Sequence, residues 1–595
     1  MNTRTSVILA AAIAALSPAA SGKTVPKSGM PDPGAGKTAI GGSTAVLSPA
    51  SWKSCSAIDA LEYRDETVVG SELTHDAPLT RISLRNLLPV PRAIQVTACA
   101  PRAAQSTRTV ALGPGAAATV TLPGVFTAED GFDSDGDPVM LHERRPPDGS
   151  APKSEPLQSS GRAASFRCDA YGSRIADGVS LLLSDGVVRD AVTPAFKHDF
   201  NTVELRQDAA DWPRDFRAYL PFDAVCLTKE VADALPDETR AALRAFNILG
   251  GAVATLPDGK SVPKSLQAAA EAAQTRRIGD LSVRYRYYGS GGSDSRFSEN
   301  RACVPIKVGK SLPVGLLVAL LALVAFVVMP GLVLVCARRD RRLLILAALP
   351  GTAFALTLVV AAVALFAYGT TPTVRMQSIT VLDHKSRLAV TRGQFAVFAP
   401  GDVTDEVSIP PDASFRLRGR GNERFTASFG ESCRLEGDWI KPLTATFFDF
   451  ERAERRPEKL DVKPAPGGGL AFANLLGVPV TGGIARFGGS MYKVPPLAPG
   501  EQATVKGEPQ ESPAAYAPPV YETLLGKGTS YGRNWSAVEK LLEGGKLLLP
   551  DGAYVVRLAG SPFFPSPLAS RTTYETAESV VAGSFAFESG REAAK

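Results

Sequence analysis

Two charge-free apolar runs, held apart by a short basic spacer, constrain this chain more than any other feature. Leu312 to Val335 contains no charged residue, and at about 1.5 Å of rise per residue such a helix crosses the roughly 30 Å hydrocarbon layer of a bilayer. Leu343 to Tyr368 has the same character, and between them stand Arg338, Arg339, Asp340, Arg341 and Arg342. So short a connection leaves room only for a tight loop at one membrane face, and its four arginines put that face in the cytoplasm. The expectation is a hairpin: a transmembrane helix over 312–336, an arginine loop over 337–342 and a second helix over 343–369, with both flanking regions outside. A buried hairpin in a soluble protein would need partners for two helices that are apolar on every side. Pro330 and Pro350 are expected to kink the helices. Neither span carries an acid, base or histidine, so no proton or ion path is expected within the chain.

The beginning of the chain reads as an export signal over 1–21. Arg4 supplies a basic start, Val7 to Leu16 an apolar run too short to span, and Ser17, Ala19 and Ser21 the small residues of a cleavage site after Ala19 or Ser21. No cysteine follows, which argues against a lipid anchor. Residues 22–50 are rich in Gly, Pro, Ser and Lys without apolar periodicity and read as a disordered linker. Within them Gly36-Lys37-Thr38 imitates the end of a phosphate-cradling loop. However, Pro31 occupies the first glycine position and no strand precedes it, so nucleotide binding is not expected.

Outside the spans, the 595-residue chain is too long for a single core. From 51 to 150 short runs alternate at period two, as in Thr80-Arg-Ile82-Ser-Leu84 and Ala118-Thr-Val120-Thr-Leu122, which predicts an immunoglobulin-like β-sandwich. The region 373–595 is expected to be a mainly β domain and partly an echo of the first. Asn86-Leu-Leu-Pro-Val90 followed by Leu112-Gly-Pro-Gly115 recurs as Asn474-Leu-Leu-Gly-Val478 followed by Leu497-Ala-Pro-Gly500. One helix, around Trp535 to Leu542, is expected to interrupt it. Between 165 and 300 the pattern changes to compact apolar runs, Val179 to Leu183, Thr202 to Leu205 and Ala224 to Leu227, separated by helix-length segments. Pro236, Asp237 and Glu238 open a helix that Gly250-Gly251 closes, an alternation that predicts a parallel sheet with helices on its faces.

Within residues 172–260, the run Trp212…Tyr219-Leu-Pro-Phe222-Asp223-Ala-Val, followed by Leu235-Pro-Asp…Ala241-Ala-Leu243…Gly250-Gly251-Ala-Val, resembles the class I glutamine amidotransferase-like domains of bacterial envelope proteins. The resemblance implies a flavodoxin-like, three-layer α/β fold. Working members carry a Cys nucleophile at a Gly-flanked elbow with a His-Glu pair. Here Cys226 sits inside an apolar run without flanking glycines, and no histidine follows it in the domain, so the resemblance implies the fold and not the chemistry.

The remaining candidates are sparse. Asp133, Asp135 and Asp137 alternate as a calcium loop's ligands do, but Pro138 and Arg144 stand where such a loop needs Gly and Glu. His75, His142, His198 and His384 have no ligand neighbours at metal spacing. Of seven cysteines, Cys336 adjoins the arginine loop and Cys226 reads as a core thiol, whereas Cys55, Cys99, Cys168 and Cys303 could form disulfides in an oxidising compartment; Cys55 with Cys99 and Cys168 with Cys303 is one of the three pairings four cysteines allow, and the sequence does not choose among them. No catalytic residue, cofactor or metal is assigned. The formal net charge of +5 with dispersed Lys and Arg argues against nucleic acid. The whole reads as a multidomain protein of the bacterial inner membrane with its large domains in the periplasm, a non-catalytic scaffold whose partner is another envelope protein. The alternatives are a hydrolase or amidotransferase-like enzyme using 165–300, or a transporter accessory subunit.

Overall fold

The computed structural model describes residues 44–47, 52–66, 79–99, 104–123 and 139–157. It continues with 179–256, 314–338, 344–369, 371–509 and 552–585, apart from short breaks, and with 262, 266 and 270 singly. The signal segment 1–21, the Gly36-Lys37-Thr38 turn, Asp133, Asp135, Asp137, Cys168, Cys303 and the Trp535–Leu542 helix lie outside the described residues.

The architecture is multidomain and rich in β-sheet. Its first strand corrects the reading of 22–50 as wholly disordered: β1 (Thr44–Leu47) is an apolar tetrad inside that segment and pairs in a sheet described below. The next eight strands are β2 (Lys53–Ser54), β3 (Leu61–Glu66), β4 (Leu79–Asn86), β5 (Arg92–Cys99), β6 (Ala104–Leu112), β7 (Ala117–Pro123), β8 (Val139–Glu143) and β9 (Lys153–Leu157). They form one sheet in the order β2-β3-β4-β7 and an antiparallel array β6-β5-β8-β9. The period-two alternation sends Ile82 and Leu84 from the first sheet and Ile94 and Val96 from the second into one core. Strand β9 carries the unit beyond the expected boundary at 150.

The α/β unit comprises β10 (Val179–Leu183), α1 (Gly186–Val192), β11 (Phe200–Leu205), β12 (Ala224–Thr228), α2 (Lys229–Ala234), α3 (Asp237–Ile248) and β13 (Ala252–Leu256). Its sheet is parallel throughout, in the order β1-β11-β10-β12-β13. Without β1 this is the 2-1-3-4 order of a doubly wound sheet. Leu182 and Val225 face one side, Leu181, Leu183 and Cys226 the other, and both sides are buried. Helix α3 starts as expected, with Asp237 and Glu238 in its first turn and Leu243 and Phe246 buried. Gly251 is required at its end, because a Cβ there would fall 2.0 Å from the Phe246 ring.

The apolar runs form α4 (Val314–Leu323), a π-helical turn over Val324–Val328, α5 (Met329–Arg338) and α6 (Leu344–Tyr368). The stretch Val318–Val335, of mean hydropathy 2.9, is long and apolar enough to cross a membrane. The disruption expected at Pro330 takes the form of the π turn. Proline lacks an N–H and crowds the preceding turn, and the ladder shifts just ahead of it, where Met329 N donates to Val324 O, five residues back. Thr352 Oγ1 lies 4.0 Å from Met329 Sδ, so α5 and α6 touch there.

Beyond the helices two further β units follow. The central one contains β14 (Thr373–Asp383), β15 (Leu388–Phe398), β16 (Val407–Ile409), β17 (Ala413–Arg418), β18 (Phe425–Phe429), β19 (Cys433–Gly437) and β20 (Ala445–Arg455). The last contains β21 (Lys459–Ala465), β22 (Gly469–Leu475), β23 (Val480–Phe487), β24 (Ser490–Val494), β25 (Gln502–Lys506), β26 (Glu508–Pro509), β27 (Ala553–Leu558) and β28 (Thr573–Ser584). The region 373–595 is thus not one sandwich beside another, because the central unit is woven into both. Strand β18 pairs in parallel with β6, extending the first unit's β6-β5-β8-β9 sheet, and β14 pairs in parallel with β28. Phe395, Phe448 and Phe450 of the central unit belong to the same buried cluster as Leu61 and Ile94.

Candidate functional site

In a doubly wound sheet, ligands bind beyond the carboxyl ends of the strands where the strand order reverses, which here lies between β10 and β12. The polar groups at that edge are engaged in holding the backbone. Ser184, directly after β10, donates its N–H to Cys226 O at 3.1 Å, and its Oγ accepts from Thr228 N at 3.1 Å. The Asp185 carboxylate caps α1 by accepting from Val188 N at 2.9 Å, and Thr228 Oγ1 caps α2 from Val231 N at 3.3 Å. One strand over, the fully buried Glu204 carboxylate meets Arg189 Nη1 at 3.3 Å. The side chains present fit strand-to-helix connections, and no nucleophile with an adjacent base occurs among them.

Cys226 lies in mid-strand, 0% exposed, and burial pushes its thiol up to about 12. At pH 8 the thiolate is then on the order of one in ten thousand molecules. A thiol reagent at pH 8 should leave Cys226 unlabelled in the folded protein and label it after denaturation, read by mass spectrometry of the peptide; labelling of the native protein would mean the strand opens. Burial likewise raises the Cys433 thiol.

The structure separates the pair Cys55 and Cys99. Cys55 N donates to Leu61 O, and Arg92 Nη1 donates to Asp59 O at 2.8 Å, so Cys55 lies beside the Arg92 end of β5. Cys99 ends that eight-residue strand, roughly 23 Å away at about 3.3 Å per residue, far beyond disulfide reach. Cys55 is half-buried. Among the described residues, no cluster of three His, Cys, Asp or Glu side chains could hold a metal ion. His142 Nδ1 lies 2.8 Å from Ser154 Oγ, and burial with the Arg144 charge lowers its pKa. His384 Nε2 lies 3.1 Å from Tyr554 Oη; burial lowers the histidine's pKa and raises the phenol's. Arg338 ends α5, whereas Arg339, Arg341 and Arg342 lie outside the described residues.

The recurring asparagine motif is where the chain's two halves coincide in detail. Asn86 Nδ2 donates to Val90 O at 2.9 Å and Gly113 O at 3.0 Å, while its Oδ1 accepts from Leu88 N at 3.0 Å. Asn474 Nδ2 donates to Val478 O at 2.8 Å and Leu497 O at 3.0 Å, while its Oδ1 accepts from Leu476 N at 3.0 Å. The Pro-Gly turns end in left-handed Gly115 and Gly500, conformations a side chain would strain. Topology repeats as well: β3-β4-β7 with β6-β5-β8-β9 corresponds to β21-β22-β25 with β24-β23-β27-β28. The repetition is more extensive than the motif alone predicts. Leu87 and Leu475, each following its corner asparagine, are both about half exposed and present equivalent apolar points at the two corners.

The sequence did not single out the groups that join the α/β unit to the β units. Arg217, clamped by Asp215, donates to Pro411 O at 3.0 Å and Ala413 O at 3.2 Å. Arg244 of α3 pairs with Asp383 of β14, and Leu388 and Val390 of β15 enter the core beneath α3. A charge at an interface between residues more than 130 positions apart in the chain has no local signature.

No protein-family model matches the chain, and no curated protein matches it. Among solved structures it is similar to the yeast delta-COP-I mu-homology domain, at 7% identity over 36% of this chain and 95% of that one, with a TM-score of 0.19. The same domain complexed with Dsl1 WxWxV peptide is similar at 6% identity over 36% and 96%, with a TM-score of 0.17.

Proposed function

We propose that this chain is an inner-membrane protein facing the periplasm, a non-catalytic scaffold for another envelope protein, anchored by a two-helix hairpin whose arginine loop is cytoplasmic. In this reading the β units are immunoglobulin-like sandwiches, and the α/β block is an amidotransferase-like domain that keeps the sheet without the nucleophile. The observation that carries the proposal is the pairing of β6 with β18, strands from opposite sides of the helices in sequence. Strands that share a sheet lie on one side of a bilayer, so the segment between them crosses an even number of times. The four arginines between the two runs then set the orientation. The buried thiol of Cys226 and the capping duties of Ser184, Asp185 and Thr228 favour a packing role for the α/β block over a catalytic one.

A topology reporter tests this. A reporter active only in the periplasm should be active when fused after Lys595 or inserted near Ser295, and inactive when inserted at Asp340. Activity at Asp340 with silence at the other two points would overturn the orientation, and opposite activities at Ser295 and Lys595 would overturn the hairpin.

A further inference from the structure

Leu443 is an exposed leucine in a conformation that leucine rarely adopts. Its φ is +60°, and its side chain is 53% exposed. A left-handed turn costs leucine free energy that Asn or Gly would avoid, and the exposed apolar surface adds no stability in water. The turn itself is well held. Leu443 N donates to Ala399 O at 2.7 Å, and Trp439, just before the turn, is buried with its ring 5.9 Å from that of Phe448. What the fold fixes there is an outward-pointing apolar side chain.

The sheet register puts Leu443 at the end of β14 that follows the helix. Thr373, the first residue of β14, is opposite Phe398, which is opposite Ala445, two residues after Leu443. With strands about 4.8 Å apart, Leu443 lies on the order of 10 Å from Thr373. Thr373 follows the end of α6 at Tyr368 by five residues, a reach of at most about 18 Å. The far end of the same two strands supplies the contrast. Arg387, in the hairpin between β14 and β15, is also left-handed, with φ +51°, and also exposed, but carries a charge. It stands roughly 36 Å from the Thr373 end, at about 3.3 Å per residue along the 11-residue strand. Of the two described non-glycine residues with left-handed φ on this sheet, the one at the end where β14 follows the helix is a leucine and the one at the far end an arginine.

We infer that the Leu443 turn inserts into the lipid interface of the outer leaflet and seats the β body on the membrane surface. This rests on the hairpin reading above. The test uses the full chain in phosphatidylcholine vesicles with or without acyl-chain-brominated phosphatidylcholine, comparing Leu443→Trp with Arg387→Trp. The emission added by Leu443→Trp should be quenched by the brominated lipid at least about three-fold more than that added by Arg387→Trp, as an interfacial tryptophan would be. Equal quenching of the two by aqueous iodide with none by the brominated lipid would overturn the inference. So would a Leu443→Trp signal shielded from both quenchers, which would mean that a protein surface covers the turn. Leu443→Asn, better suited to the backbone, should melt in detergent no earlier than the parent; an earlier melt would mean that Leu443 packs within the protein, against the inference. Failure of the chain to float with the vesicles would overturn the hairpin reading and this inference together, whereas flotation without lipid quenching would overturn this inference alone.

Discussion

Replacing Arg92 with methionine is expected to destabilise the first β unit by about 3–5 kcal/mol, because it strands a fully buried carboxylate. Arg92 Nη2 lies 2.7 Å from Glu143 Oε2 and its Nε donates to Glu143 Oε1 at 2.8 Å, with side-chain exposures of 2% and 0%. The Arg92 guanidinium also fixes the turn before β3 through Asp59 O. Removing one partner leaves a charge without compensation; removing both need not. The second corner has no such pair at this place. Val480 lies opposite Leu497 as Arg92 lies opposite Leu112, and its neighbours on β27, Val556 and Leu558, are buried and apolar. The double variant Arg92→Met with Glu143→Leu is therefore expected to recover most of the loss. Thermal melting of the purified chain in mild detergent, followed by proteolysis, measures this. A single variant that melts with the parent would mean that the pair is solvated, and a double variant no better than the single would mean that the ion pair, not its burial, holds the strands.

Asn474→Ala should cost about 2–3 kcal/mol, since it orphans the Leu476 N–H and the Val478 carbonyl in a buried corner. Asn86→Ala should cost a similar amount, because the geometry there is the same. Aspartate is the informative substitution. It keeps the acceptor for Leu476 N but replaces the donor with a carboxylate oxygen facing two carbonyls, so Asn474→Asp should be at least as damaging as alanine. The two corners belong to different β units, so their effects should add. An aspartate variant as stable as the parent would show that the donor side of the amide contributes nothing, and with it the account of why asparagine recurs.

The elements legible in the sequence were those whose cause is local. Charge-free length produced the two helices, and period-two alternation placed Ile82 and Leu84 in a strand with inward faces. Pro236, Asp237 and Glu238 marked the start of α3, and the Asn-Leu-Leu motif with its Pro-Gly turn marked the paired corners, because one amide must meet the same backbone groups in each. The tertiary structure alone decided the pairings between distant segments. Thr44–Leu47 has the composition of a linker with one apolar tetrad, and it is a strand because the β11 edge accepts it. Hydrogen bonds between β6 and β18 form between backbone groups that every residue carries, so no side-chain pattern announces them. Alternation reports which face of a strand is buried and not which strand lies beside it. The sequence by itself therefore determined the elements and the repeated corner, while only the folded chain decided that strands from either side of the helices share one sheet and that a leucine takes the left-handed turn before β20.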